Sequence, residues 1–226
     1  MAIKLEILIL TMKTREKYLR RILDCLEPQA TPEVKITVRM CDPNYTLGEN
    51  REMLRRGSVG EYIAFVDDDD VVACDYVETL LPLLNGVDII GFECQLYVDG
   101  KLDMQRDFHT ITAGSWYNTE TAFYRDISHL SPIRRELALM APMEGGHGED
   151  GRWADKMRAL GVVKTEHYVD KIMYYYLFRN GKNRGPKCPH CQRNDCTVMV
   201  EAGVHCNGCG QLFDPREVTQ KSCLWE

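Results

Sequence analysis

The stretch Gly60-Glu61-Tyr62-Ile63-Ala64-Phe65-Val66-Asp67-Asp68-Asp69-Asp70 decides the fold of this chain. Tyr62 to Val66 is a short apolar run that reads as a buried strand, and four aspartates stop it. Adjacent carboxylates raise one another's pKa, so such a run at the end of a buried strand calls for a cation. In an extended segment residues i and i+2 share a face, so Asp67 with Asp69, or Asp68 with Asp70, can aim two oxygens at one point. Hard oxygen ligands favour Mg²⁺ or Mn²⁺, which keep positions open for water and substrate phosphate. The plain alternative is an acidic loop facing water.

Upstream of this run, Ile3 to Leu10 reads as a strand, Arg15 to Leu26 as a helix, and Val34 to Met40 as a strand running into the turn Cys41-Asp42-Pro43-Asn44. Gly48 to Gly60 carries a short helix with Met53 and Leu54 on one side. Downstream, Asp75 to Leu84 reads as a helix, with strands over Val87 to Phe92 and Cys94 to Val98 around Asp99-Gly100. Such alternation predicts an α/β layer structure with a mostly parallel sheet flanked by helices. Chemistry in these sheets gathers outside the carboxyl ends of the strands, where Thr11, Asp42 and Asp67 to Asp70 converge. The region from Gln105 to Arg125 is less regular and suits an acceptor-side loop or an antiparallel strand pair. Gly145 to Gly148 enters a helix beginning near Glu149, Val169 to Phe178 is a last strand, and Asn180 to Pro186 reads as a linker.

The 226 residues carry 28 Lys+Arg against 34 Asp+Glu, a net charge of -6, which excludes a protein that coats nucleic acid by bulk attraction. Hydrophobic residues make up 44%, enough for a real core, so disorder is excluded too. No stretch approaches the roughly 20 apolar residues of a membrane span. The N-terminal MAIKLEILILTMK reads as a strand without a cleavage site, so a soluble, cytoplasmic protein is expected. Of ten cysteines, Cys25, Cys41, Cys74 and Cys94 are scattered and read as small buried hydrophobes of a reducing compartment. Cys188-x-x-Cys191 and Cys206-x-x-Cys209, fourteen residues apart, have the spacing of a structural four-cysteine Zn²⁺ site. Cys196 and Cys223 are left over, and His190 or His205 could replace one ligand. The expected division is a catalytic domain over 1–183 and a zinc ribbon over 184–226. From residue 181 onward six Lys+Arg face five Asp+Glu, so the tail is +1 and the body -7. Ribbons often bind nucleic acid, yet many only stabilise or dock to protein.

Gly48-Glu-Asn-Arg-Glu-Met-Leu, followed by Gly60-Glu-Tyr-Ile and the aspartate run, resembles the nucleotide-sugar half of GT-A glycosyltransferases, especially the family two group of inverting enzymes. The resemblance spans about residues 3 to 183 and implies a Rossmann-like GT-A fold that moves a sugar from a nucleotide-sugar donor, with Mn²⁺ or Mg²⁺. It places Thr11, Asp42, Asn50, Arg51, Asp67 and Asp68 at the donor, with Asp42 reading uracil if the donor is a UDP-sugar. Asp69 binds the metal, with Asp67 near the ribose or the metal. His129-Leu-Ser-Pro-Ile-Arg-Arg-Glu-Leu is similar to the segment before the acceptor site, and Gly148-Glu149-Asp150 to the Glu-Asp motif at a helix start. Asp150 is then the catalytic base and Glu149 the second choice, although both also read as ordinary acidic residues of a helix N-terminus. His147 and His167 are late metal ligands or structural hydrogen bonders. Tyr174 to Arg179 resembles the closing tyrosine-rich strand, from which Arg179 and Lys182 approach the donor diphosphate.

There is no Gln-x-x-Arg-Trp motif of processive synthases, so single-sugar transfer is expected. Compact GT-A enzymes with a ribbon resemble virus-encoded ones. The acceptor this implies is a 5-hydroxymethylpyrimidine base in DNA, held by the ribbon, with Trp116-Tyr117 and Phe123-Tyr124 as stacking surfaces or as core. The alternatives are a polysaccharide, lipid-linked or protein acceptor with a purely structural ribbon, or a non-catalytic binding protein of the same fold.

Overall fold

The computed structural model describes residues 2–178 and the backbone of 197–200, 203–206 and 212–213. The elements run β1 (Leu5–Thr11), α1 (Glu16–Leu26), β2 (Val34–Met40), α2 (Leu47–Arg56), β3 (Tyr62–Phe65), β4 (Val71–Val72), α3 (Tyr76–Leu80), β5 (Ile89–Val98) and β6 (Lys101–His109). They continue with β7 (Tyr117–Asn118), β8 (Ala122–Arg125), β9 (Ile133–Arg134), α4 (Arg135–Ala138), α5 (Glu149–Leu160) and β10 (Glu166–Phe178).

The main sheet has the order β2-β1-β3-β9-β5-β6-β8-β7, with β10 beside β5 and β4. β1 runs parallel to β2 and β3, and β10 parallel to β5. β9 is antiparallel to both β3 and β5, so the five principal strands all point one way. The antiparallel pairings with β6 and β7 belong to the far end of the sheet, where the sequence was least regular.

Alternation along β1 explains the layers. Leu5, Ile7 and Ile9 pack with Ile22 and Leu26 of α1 and with Tyr76, Val77 and Leu80 of α3. Leu8 and Leu10 pack on the opposite face with Leu54 of α2 and with Trp153, Ala154 and Met157 of α5. Glu6 is fully buried among these residues. Its oxygens accept from the Thr37 hydroxyl at 2.6 Å, Lys35 Nζ at 3.0 Å, and the N–H groups of Val59 at 2.6 Å and Gly60 at 2.9 Å. Burial opposes its charge, but those donors outweigh burial and hold the carboxyl below its ordinary range.

Several elements differ from the sequence reading. The two strands expected over 87–98 are one, because Glu93 stays in the ladder with Arg106 Nη2 at 2.5 Å from both its oxygens. Asp99 and Gly100, at φ of 51° and 76°, form the turn into β6, a backbone matched to the twist of a two-residue hairpin. The helix expected over 75–84 tightens into a 3₁₀ turn at Leu81–Leu83, where Pro82 lacks the N–H needed to continue it. β10 starts at Glu166, three residues before the expected strand.

The aspartate run is not extended. Asp70 donates its N–H to the Asp67 carbonyl at 3.1 Å, closing a turn that breaks the i, i+2 pairing. Asp67, Asp68 and Asp69 face the crevice and Asp70 goes under it.

In the C-terminal segment β11 (Thr197–Val200), β12 (Gly203–Cys206) and β13 (Leu212–Phe213) form an antiparallel sheet in that order. Cys206 is the last residue of β12. Arg179, Lys182, Cys188, Cys191, Cys196, Cys209 and Cys223 lie outside the described residues. No helix among the described residues is long and apolar enough to cross a membrane.

Candidate active site

The ends of β1 and β3, the segment 128–130 and the start of α5 enclose a cavity of about 600 Å³. Thr11 ends β1 and donates its hydroxyl to Asp68 at 2.5 Å. Arg15 stands 2.9 Å from Asp68 and also pairs with Asp69. Burial nevertheless pushes the Asp68 carboxyl above its ordinary range, against the pull of Thr11 and Arg15.

Asp67 belongs to a second group. Arg51, buried on α2 with its guanidinium 5.6 Å from the Phe65 ring centre, reaches Asp67 at 2.5 Å and Glu149 at 2.6 Å. Burial opposes the Asp67 charge, but Arg51 and His129 overcome it and hold the carboxyl well below the ordinary range. His129 stands between the two carboxylates, with Nε2 3.7 Å from Asp67 and Nδ1 3.6 Å from Asp150. Both ring nitrogens are buried without a hydrogen-bond partner among the described residues. Asp150 accepts the Gly151 N–H at 2.8 Å through its other oxygen. The structure therefore gathers Thr11, Arg51, Asp67, Asp68, Asp69, Glu149 and Asp150 around one cavity, together with His147.

Asn50 and Asp42 are placed differently and do not line it. Asn50 is buried, accepts the Asp42 N–H at 2.9 Å and donates to the carbonyls of Asp42, Tyr45 and Thr46, so it pins the 42–46 loop. The Asp42 carboxylate accepts from the N–H and side chain of Asn44. The same loop starts α2 through reciprocal bonds between Thr46 and Glu49, a capping box. His167 is exposed on β10, away from the cavity. Arg15, Asp107 and His109 are charged or ionisable cavity residues that the sequence reading did not single out, and His129 figures there only as the first residue of a segment. Each is one residue in a mixed segment, with no spacing that marks it.

Gly48 holds α2 against the loop that leads into α5. Its N–H donates to the Gly145 carbonyl at 2.8 Å, and a Cβ there would come within 2.6 Å of Glu144 C. Gly48→Ala must drive the two segments apart, so a loss of about 1–3 kcal/mol is expected in urea unfolding. An unchanged midpoint would show that the loop yields freely.

Asp70 accepts from the Tyr174 hydroxyl and the Leu177 N–H, both at 2.8 Å. Burial, followed by the charges of Asp67 and Asp69, raises its pKa well above the ordinary value. A raised acid favours folding fully below the unfolded pKa of about 3.9, and that contribution is lost as pH rises to the folded value. Asp70→Asn keeps an acceptor for Leu177 and removes the charge, so it should stabilise the fold at pH 7 by about 1 kcal/mol, less so below pH 4. A lower urea midpoint at pH 7 would instead assign the carboxylate a necessary cation.

No protein-family model matches the chain, and no curated protein matches it. Solved structures do. S. aureus TarS 1–349 in complex with UDP-GlcNAc superposes with a TM-score of 0.58 at 18% identity, over 79% of this chain and 60% of that one. The complex of the same fragment with UDP gives 0.56 at 16% identity, over 77% and 60%. The likeness shows the GT-A fold, and the chain spans 60% of the length of those fragments.

Proposed function

We propose that this chain is a metal-dependent inverting glycosyltransferase that moves one sugar from a UDP-sugar to an acceptor hydroxyl. The observation that carries this reading is the placement of Asp150 on the wall of the cavity that also holds Asp67, Asp68 and Asp69. Glu149 is buried and committed to Arg51, which suits it to positioning, whereas Asp150 keeps one oxygen 3.6 Å from a histidine nitrogen and has no cation on it among the described hydrogen bonds. Asp150 takes the proton of the acceptor hydroxyl. The acceptor oxygen then bonds to the anomeric carbon as the bond from that carbon to the diphosphate oxygen breaks. Uridine is favoured because the superposed fragments are bound to UDP-GlcNAc and UDP. Asp42 and Asn50 shape the loop assigned to the base, Thr11 and Arg15 hold the aspartates, and Arg179 is assigned to the diphosphate.

The aspartates fit a hard cation. Asp67 has one oxygen facing His129 rather than Arg51, and Asp69 is half-buried at the cavity, paired with Arg15. These two residues would hold Mn²⁺ or Mg²⁺, with Arg15 yielding its contact to Asp69. Such an ion supplies charge stabilisation for a departing diphosphate.

For the acceptor we propose a 5-hydroxymethylpyrimidine in DNA, with residues 184–226 folded as a four-cysteine zinc ribbon that retains the polymer. Trp116 and Arg125 line the cavity, and their side chains pack together at 5.1 Å. Tyr117 is exposed and stacks on Tyr124 at 4.7 Å, giving a flat surface near that wall. A base within a duplex must be turned outward at a cost of a few kcal/mol. The full chain with Mn²⁺ is to be incubated with a panel of UDP-sugars and with hydroxymethylated or plain DNA, and the nucleosides weighed. A hexose or pentose gained only by hydroxymethylated nucleosides is expected. Released sugar with no heavier nucleoside sinks the DNA acceptor and leaves donor use standing. Removing residues 184–226 should abolish salt-sensitive DNA retention, and retention without them overturns the assignment to the ribbon.

A further inference from the structure

Cys94, Asp107 and His109 form a second cluster, lining the same cavity as Asp67, Asp68 and Asp69. Strand geometry places them together. Cys94 of β5 lies directly opposite Asp107 of β6, and His109 is two residues further along β6, so all three project from one face. Each offers one ligand atom, and the three atoms lie within 4.8 Å of one another. His109 is nineteen-twentieths buried and stacks on Phe92, its cross-strand partner, with ring centres 5.9 Å apart and an interplanar angle of 9°.

The hydrogen bonding of this cluster is incomplete. His109 Nδ1 and Asp107 Oδ1 are buried with no hydrogen-bond partner among the described residues. The remaining contact is His109 Nε2 to Asp107 Oδ2 at 3.4 Å. Buried polar atoms are rarely left so, because each costs about 1–3 kcal/mol. Arg125, opposite His109 on β8, is the nearby cation, but its Nη1 is spent on the carbonyls of Tyr117 and Tyr124 and on Asn118 Oδ1.

We propose that Cys94 Sγ, the Asp107 carboxylate and the His109 imidazole bind a Zn²⁺ ion whose fourth position opens to the cavity. One sulfur, one nitrogen and one oxygen select zinc over magnesium. Tetrahedral zinc sets its ligand atoms roughly 3.4–3.6 Å apart, so the cluster needs to close by only about an ångström. Three protein ligands with one open position is the arrangement of zinc sites that take up water or a substrate oxygen. The ligand here is a water or a hydroxyl oxygen of the acceptor. The site uses none of the four aspartates of the run and none of the cysteines of the tail.

The test uses the full chain, equilibrated with Zn²⁺ and freed of excess metal, with zinc counted per chain by mass spectrometry of the element. Cys94→Ser, Asp107→Asn and His109→Ala should each carry one zinc fewer than the unaltered chain, whatever the tail binds. Cobalt in place of zinc should lose the absorption of a one-thiolate site in Cys94→Ser and keep that of the tail. Asp107→Asn preserves side-chain size and guards against loss through unfolding, which near-ultraviolet circular dichroism checks. Equal zinc in the unaltered chain and in folded Asp107→Asn overturns the site and leaves an Asp–His pair alone. Metal counting needs no turnover, so its outcome is independent of the sugar-transfer reading.

Discussion

Asp150→Asn should lower kcat by about 10²–10⁴-fold, while metal-dependent binding of the uridine nucleotide stays within twofold. The substitution keeps the shape of the side chain and its acceptor for the Gly151 N–H, which now comes from an amide oxygen. It removes the one property the proposed reaction asks of this residue, an oxygen able to take a proton. Asp150 is partly exposed at the cavity, so folding loses little. A Glu149→Gln variant separates the two carboxylates. Glu149 is paired with Arg51, so under the proposed reading its loss should weaken stability more than it weakens the chemical step. Near-normal single-turnover rates in Asp150→Asn, with turnover lost in Glu149→Gln, would exchange the two roles.

Arg51→Met should cost about 3–5 kcal/mol in urea unfolding. The guanidinium is buried and serves two carboxylates at 2.5 and 2.6 Å, so its removal strands Asp67 and Glu149 as neighbouring charges without their cation. Methionine restores much of the volume and none of the charge. Adding Glu149→Gln to Arg51→Met should recover part of the loss, a coupling that a double-mutant cycle reads directly. The pH dependence follows from the lowered Asp67 pKa. Its contribution is present above the unfolded carboxylate value and is lost as pH falls toward the folded one. The unaltered chain should therefore lose stability below about pH 4 more steeply than Arg51→Met. A loss under about 1 kcal/mol would mean that the pair is effectively solvated.

The backbone plan was legible where apolar period and punctuation agree. β1, α1, β2 and α2 each combine a clear run with a turn, and their order brings Thr11 and the aspartates to one end of the sheet. Glu93 hid the continuity of β5, because a charge inside an apolar run reads as a break until Arg106 is seen beside it. The roles within the aspartate run were not legible either. They depend on Tyr174, 104 residues after Asp70, and on Arg51 and His129, which no local pattern ties to it. The Cys94 cluster was hidden for a similar reason. Zinc spacings are recognisable when the ligands share a turn, whereas here one comes from β5 and two from β6. Cys94 alone reads as a small core residue.

Tyr174 also bears on how the protein is made. Its hydroxyl donates to Asp70 and accepts the Asp67 N–H at 3.1 Å, so the bend of the acidic run is fastened by the last long strand. During synthesis β1 to β3 can leave the ribosome and pair in parallel while the four carboxylates still lack that fastening. Closing a loop of this length is entropically slow to nucleate, which makes the docking of β10 a late step. A nascent chain released before Tyr174 already carries β1 to β9, but it lacks the hydroxyl that fastens the acidic turn. The crevice is thereby assembled only once nearly the whole domain has been translated.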